Sequence, residues 1–353
     1  MLAHTIKEVR EQVKKWKQEG LSVGLVPTMG ALHAGHLSLV EASVGKCDKT
    51  VVSVFVNPAQ FGPNEDFDKY PRTLEEDVRM LSGRDVLIFA PSAEEMYPSS
   101  ELAKQVPLPA QGESVDFALI RHCEEGVSPM RQSSKSTALT GLLRRLLCKL
   151  LAMTKQHKMD NSPQNNAVSF NLSTFLSSTF VVPPRFYTDK LCGKSRPGHF
   201  DGVCTVVAKL FNIVQPDYAF FGEKDRQQLI IIQKMVKDLN IPVEIIACPI
   251  VRGENGLALS SRNKYLKNKE EALVLNKVLL NIKACYDNGI VDVESLTETA
   301  YSFLNKNHSL EYLEFRDKDD LEIKKIADGN TIVFIAVKIG EVRLIDNLLL
   351  ESS

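Results

Sequence analysis

The sequence predicts an α/β protein: a parallel sheet crossed by helices, followed by a smaller α+β region. Three observations predict it. Short β-branched runs recur, beginning with residues 21–26 (LSVGLV) and 50–56 (TVVSVFV). About one helix of sequence separates these two, the spacing of a βαβ unit. Past residue 264 the texture changes to one helix-length stretch followed by strand-like runs.

The elements follow in order. Residues 1–20 alternate charge with apolar positions and read as an amphipathic helix ending at Gly20, where a secretory leader would need an unbroken apolar stretch. After the first two strands come DVLIFA (85–90), DYAFF (217–221) and VEIIACPIV (243–251). Helix-length segments lie between, including GVCTVVAKLFNIV (202–214) and RQQLIIIQKMVKDLN (226–240). The C-terminal region opens with a helical stretch over 270–289 and continues with runs at 311–317, 330–340 and 342–348.

Residues 99–186 fit neither texture. Polar tracts such as SSKST and NSPQNN lead us to expect a largely disordered insert. Inside it, leucines from Leu142 to Leu151 at helical spacing, with basic residues between, read either as a partner-binding helix or as an accidental one.

Composition narrows the classes. The chain has 353 residues, 44% hydrophobic and 25% charged, as in ordinary globular proteins. A formal net charge of -1 gives no global pull toward nucleic acid or an anionic membrane, so neither is expected as a partner. Seven cysteines without a Cys-x-x-Cys pair suggest a reducing, cytoplasmic setting and no structural metal. The apolar stretch around 138–153 is interrupted by Arg144, Arg145 and Lys149, so no membrane span is expected.

In an open α/β sheet, ligands bind beyond the carboxyl ends of the strands. Four polar clusters fall at such ends: Pro27–Gly30 with His33 and His36, Asn57–Gln60, Gly222–Asp225, and Ser260–Asn263. If a helix begins after His33, both imidazoles lie at its first turn, where free N–H groups and the dipole favour an anion; a cap or a surface position is the plainer alternative. Lys224 and Arg262 are suited to phosphate oxygens, or are solvated surface charges. Gln60 either orients a hydroxyl or carboxylate or bonds its own loop. Glu76 and Asp77 either hold a magnesium ion beside nucleotide phosphates or are ordinary acids at a helix start. The sequence has no Walker A or Gly-x-Gly-x-x-Gly motif, so phosphates would be gripped without a P-loop.

Taken together, PTMGALHAGH (27–36), VFVNPAQFG (54–62), YPRT (70–73), SRPGHFDGV (195–203), FGEKD (221–225) with Gln227 and Gln228, GLALSSRN (256–263) and RLIDN (343–347) resemble the pantoate–β-alanine ligase family (pantothenate synthetases). The resemblance runs over residues 1–98 and about 187–349. It implies a Rossmann-like nucleotidyl-transferase fold related to class I aminoacyl-tRNA synthetases. Residues 1–98 and 187–263 would form the catalytic domain, 99–186 the insert and 264–353 a small C-terminal lid. It also implies ATP-dependent joining of D-pantoate to β-alanine through a pantoyl adenylate, with Mg2+, in a homodimer.

Carried onto this chain, the resemblance has Met29, Gly30, Ala31, Leu32, His33, Ala34, Gly35 and His36 lining the ATP site. His36 would be the principal catalytic acid or charge stabiliser, with His33 beside it. Gly222, Glu223, Lys224, Asp225, Val251, Leu259, Ser260, Ser261 and Arg262 would hold the nucleotide, with Lys224 and Arg262 also counted as catalytic. Gln60 and Gln228 would hold pantoate, and Arg196 and His199 would be secondary substrate residues. Two features depart from the family: Arg226 stands where an aromatic residue is usual, and the connection from Ser99 to Ser195 is long. The rival readings are a nucleotidyl transferase with the same His-x-Gly-His phosphate site, and an inactive nucleotide-binding homologue.

Overall fold

A computed structural model of the chain describes residues 1–62, 65–98 and 179–351. The segment expected to be an insert, with its leucine-rich helix, lies outside the described residues except for 179–186. Those eight belong to the folded body. The Val181 amide donates to Thr205 Oγ1 at 2.9 Å and its side chain packs on the core, so the boundary expected at 186 lies further toward the N-terminus.

The main sheet has six parallel strands in the order β1-β4-β3-β2-β5-β6. These are β1 (Leu2–Ala3), β2 (Val23–Thr28), β3 (Lys49–Val54), β4 (Val86–Phe89), β5 (Tyr218–Gly222) and β6 (Glu244–Cys248). Five match the predicted runs to within a few residues. Two-residue β1 is too short to leave a pattern; it adds an edge by pairing with Ile88 and Phe89. All four residues of β4 are buried, as expected of a parallel strand covered on both faces.

Helices cover the sheet. Helix α1 (Ile6–Gln18) starts with a capping box, Thr5 and Glu8 bonding each other's backbone amides, and the chain leaves it through Gly20 at φ +76°. Helix α2 (Ala34–Lys46) follows β2, and α3 (Leu74–Leu81) precedes β4. The longest helix among the described residues, α4 (His199–Val214), buries 13 of its residues, including Phe200, Val203, Leu210 and Phe211, at the centre of the main core. Helix α5 (Arg226–Asp238) follows β5 and contributes Leu229, Ile231 and Ile232 to that core.

The C-terminal region folds around its own core. Antiparallel strands β7 (His308–Asp317), β8 (Thr331–Ile339) and β9 (Val342–Leu349) stand in that order. They pack on helices α6 (Leu273–Asp287) and α7 (Val293–Tyr301) through Val278, Leu279, Ile282, Leu296, Val333 and Val337. Helix α7 is an addition to the predicted elements, because its apolar positions are few; Asp292 caps it by accepting from the Ser295 amide. A smaller cluster, Leu191, Ile230, Leu321, Ile332 and Phe334, joins this sheet to the parallel-sheet body.

Helix α4 approaches the Pro58–Gln60 turn so closely that Gly202 is needed. A Cβ there would stand 2.2 Å from the Ala59 carbonyl oxygen. We expect Gly202→Ala to destabilise the fold by about 1–3 kcal/mol, the usual cost of overpacking, read as a lower urea midpoint with an unchanged m-value.

Candidate active site

Strand β2 is hydrogen-bonded to β3 on one side and β5 on the other. The chain builds outward from β2 to β4, then returns to build β5 and β6 on the opposite side. Strand order therefore reverses between β2 and β5, and the loops leaving their carboxyl ends part around a crevice. The two histidines follow β2, and Gly222–Asp225 follows β5.

The β2 exit is held by buried polar contacts. Thr28 Oγ1 donates to the Ser53 carbonyl at 2.6 Å and accepts from the Gly30 amide at 3.2 Å. The chain then turns through two left-handed residues, Gly30 at φ +79° and Ala31 at φ +50°. Asp77, 1% exposed, accepts the Ala31 amide at 3.1 Å on one oxygen and the Leu32 amide at 2.7 Å on the other. The expected magnesium pair is corrected here: both Asp77 oxygens are committed to the loop, and Glu76 is exposed on the helix surface. Among the described residues no cluster of three or more metal-ligating side chains occurs.

His33 is the N-cap of α2, and its Nδ1 accepts the Gly35 amide at 3.1 Å, which leaves the proton of the neutral ring on Nε2. The ring folds back over Gly35, where a Cβ would stand 2.9 Å from His33 Cε1; the glycine admits the ring. The His33 and His36 rings lie 4.1 Å apart. Burial, assisted by Lys224, lowers the His33 pKa to about 4. Burial, then His33 and Lys224, lowers that of His36 to about 3. Both are neutral donors at physiological pH. His36 Nδ1 is buried without a hydrogen-bond partner in the protein, the condition expected of a group whose partner is a bound ligand.

The other cations share this crevice. Lys224 and Arg262 line one pocket together with Asp225 and Ser260, and both also face a second pocket with Arg196, His199 and Gln228. Each cation has an acidic partner. Arg262 holds Asp66 with two nitrogens at 3.1 and 2.9 Å, Lys224 meets Asp225 at 3.2 Å, and Arg196 pairs with Glu65. Burial pushes the Asp66 and Asp225 carboxyls up, but Arg262 and Lys224 respectively outweigh it and hold both below the usual range. Val251 and Leu259 pair across a small hairpin, Leu259 N–H to Val251 carbonyl at 3.0 Å. Ser260 then caps the next turn by accepting the Arg262 amide, and Ser261 Oγ meets Tyr70 OH at 3.1 Å.

The Gln60 side chain is nearly buried. Its Oε1 accepts from Asn57 Nδ2 at 3.1 Å, which turns Nε2 toward the weak acceptor Met29 Sδ at 3.2 Å. His199 Nδ1 lies 2.8 Å from the Gln60 carbonyl and its Nε2 lies 3.0 Å from Arg196 Nη1. Arginine can only donate, so Nε2 accepts and Nδ1 carries the proton; burial and Arg196 lower the pKa of this histidine to about 3. The two adjacent glutamines divide: Gln227 is structural, bonded to the Cys192 amide and to the Tyr187 and Lys190 carbonyls, whereas Gln228 lines the second pocket.

The sequence residues thus come together around this crevice, Asp77 as the acid that holds its loop; Glu76 is exposed. Sequence reasoning did not single out Glu65, Asp66, Tyr70, Asp346 or Asn347. Asp66 and Tyr70 lie within or beside quoted motifs, and the last two belong to RLIDN, whose polar ending on a strand-like run was the available signal. The arrangement offers neutral imidazole donors, two cations and backbone turns to a polyanion, with amide groups beside it for a smaller polar ligand.

Comparison with known proteins agrees with this reading. The family model described as pantoate-beta-alanine ligase matches residues 1–349. The pantothenate synthetase of Caldicellulosiruptor bescii is 40% identical, covering 100% of this chain and 99% of that protein. That of Clostridium novyi is also 40% identical, covering 98% and 96%. The crystal structure of the Thermus thermophilus pantothenate synthetase superposes with a TM-score of 0.73 at 34% identity, covering 99% of each chain. The Francisella tularensis pantoate-beta-alanine ligase, solved with beta-gamma ATP and beta-alanine, gives 0.65 at 29% identity, covering 100% and 98%.

The histidines predict an acid-labile fold. His36 and His199 are depressed to about 3 in the folded chain against 6.5 unfolded. The unfolded state therefore binds more protons below about pH 6.5, and their contribution is complete above that pH and declines toward pH 3. From pH 7 to pH 5 each should cost about 2 kcal/mol. Urea titrations should show this slope, shallower in His36→Gln.

Proposed function

The chain belongs to the pantoate-beta-alanine ligase family, and on that premise we propose how its residues perform the ATP-dependent joining of pantoate to β-alanine. The enzyme is a ligase that forms an amide bond. Its cradle divides the reaction in two. A pantoate carboxylate oxygen attacks the α-phosphorus of ATP, and the bond to the bridging oxygen breaks as pyrophosphate leaves. The β-alanine amine then attacks the acyl carbon, loses a proton, and AMP departs. The substrate supplies the nucleophile in each step, so the protein contributes alignment and positive potential.

One observation carries this reading: where the strand order reverses, the paired imidazoles of His33 and His36 lie within the field of Lys224, which lines one pocket together with Arg262. We assign the imidazoles to the phosphate oxygens that gain charge as pyrophosphate leaves, with His36 principal. Being neutral, they donate hydrogen bonds without a charge to desolvate. Arg262 reaches the phosphates by exchanging Asp66 for them, an exchange of like geometry because carboxylate and phosphate both take the guanidinium fork. Gln60 Nε2 and Gln228 hold pantoate, with Gln60 also near the β-alanine position. Magnesium accompanies ATP in the proposed reaction, but Glu76 and Asp77 do not fit as its ligands and no step is assigned through it. Residues 264–353 are proposed as a lid and 99–178 as an insert outside the chemistry. The proposed state is a cytoplasmic homodimer, which light scattering of the purified protein would test.

His36→Ala should lower pantoate-dependent exchange of pyrophosphate into ATP by about 100- to 1000-fold, the usual loss for one oxyanion donor. AMP should appear only when pantoate is present. A stable nucleotidylated product, persisting with β-alanine present, would instead favour the transferase reading.

A further inference from the structure

Strand β9 is an edge strand of the C-terminal sheet, and it packs against the 223–225 turn and the 261–265 turn of the catalytic body. Its residues Asp346 and Asn347 are 3% and 6% exposed, unusual for polar side chains on an edge strand. Asn347 Nδ2 donates to the Glu223 carbonyl and to the Lys224 carbonyl, each at 3.0 Å. Those carbonyls belong to the two peptide planes on either side of the Lys224 Cα. With both planes pinned, the backbone dihedrals of Lys224 are set, and with them the direction in which its side chain leaves the chain. Asp346 does the parallel service next door. It takes Arg252 with both oxygens at 2.7 and 2.9 Å, and Arg252 also donates to the Gly256 carbonyl, closing the hairpin that leads into Ser260 and Arg262.

We propose that Asn347, supported by Asp346, is a positioning residue that aims Lys224 at the phosphates of ATP, so that docking of the C-terminal sheet and assembly of the adenylation site are one event. The inference rests on the reading given under Proposed function. Lys224 acts where pyrophosphate leaves, which occurs only in the first step. Asn347 therefore governs adenylation and has no part in the attack of the β-alanine amine.

The test separates the two steps. Asn347→Asp keeps the shape, removes the donors and turns a carboxylate toward two carbonyl oxygens. Pantoate-dependent pyrophosphate exchange should fall about 100-fold, the cost of misplacing a catalytic group by an ångström. Amide formation from presynthesised pantoyl adenylate should be unchanged. In a Lys224→Ala background, Asn347→Asp should have no further effect on exchange, since a residue acting through Lys224 is silent without it. Equal slowing of both steps, or losses that multiply in the double variant, would overturn the proposal. If Asn347→Asp does not melt cooperatively, Asn347→Ser, which keeps one donor, carries the same comparisons with a smaller loss. A wild-type protein without pantoate-dependent exchange would instead overturn the underlying reading.

Discussion

The reversal of strand order at β2 is the constraint on which the site depends. The chain runs outward from β2 through β3 to β4 and then returns to add β5 on the other side of β2, so at this switch point the loops leaving β2 and β5 part around a crevice. The crevice is thus a consequence of topology before any side chain is considered. What the sequence adds is the means to keep its lip rigid: Gly30 and Ala31 in left-handed conformations, with the Asp77 carboxylate spanning the Ala31 and Leu32 amides. A carboxylate so used does for this loop what a glycine-rich nest does elsewhere, organising N–H groups and fixing where α2 begins.

Electrostatics at the crevice follow from burial. The imidazoles are too enclosed to hold a proton, so the permanent positive charge resides in Lys224, Arg262 and Arg196. Between turnovers those charges need partners, and Asp225, Asp66 and Glu65 supply them. The acids serve two ends. They keep the cations from standing unpaired in a partly buried space, and they hold the guanidinium groups in the geometry an incoming phosphate requires. An exchange of one anion for another costs less reorganisation than ordering a free side chain would.

The sequence made the repeating elements and the convergence of the motifs legible, because strand runs carry period and composition, and loops at carboxyl ends carry position. His33, Lys224 and Arg262 could be found that way. Asp77 could not, since a helix-start acid looks the same whether it faces solvent, a metal or two buried amides. The division between Gln227 and Gln228 was equally hidden: adjacent residues on a helix point about 100° apart, and only the packing of α5 decides which faces the pocket. Pairings such as Arg252 with Asp346, 94 residues apart, leave no local periodicity at all. Helix α7 and strand β1 owe their existence to partners more than to their own pattern.

Arg226 illustrates how the turn after β5 accommodates a cation at the start of a helix. A cation on the first residue of α5 faces the positive end of the helix dipole, an unfavourable place by itself. Its guanidinium reaches back three residues to Glu223, and that ion pair returns a negative charge to the helix start. Glu223 is also the residue whose carbonyl accepts from Asn347. The turn carrying Lys224 is consequently gripped by its side chain from α5 and by its backbone from β9. An aromatic residue at 226 could supply packing but not the first of these contacts, so in this chain the arginine contributes to the rigidity of the turn.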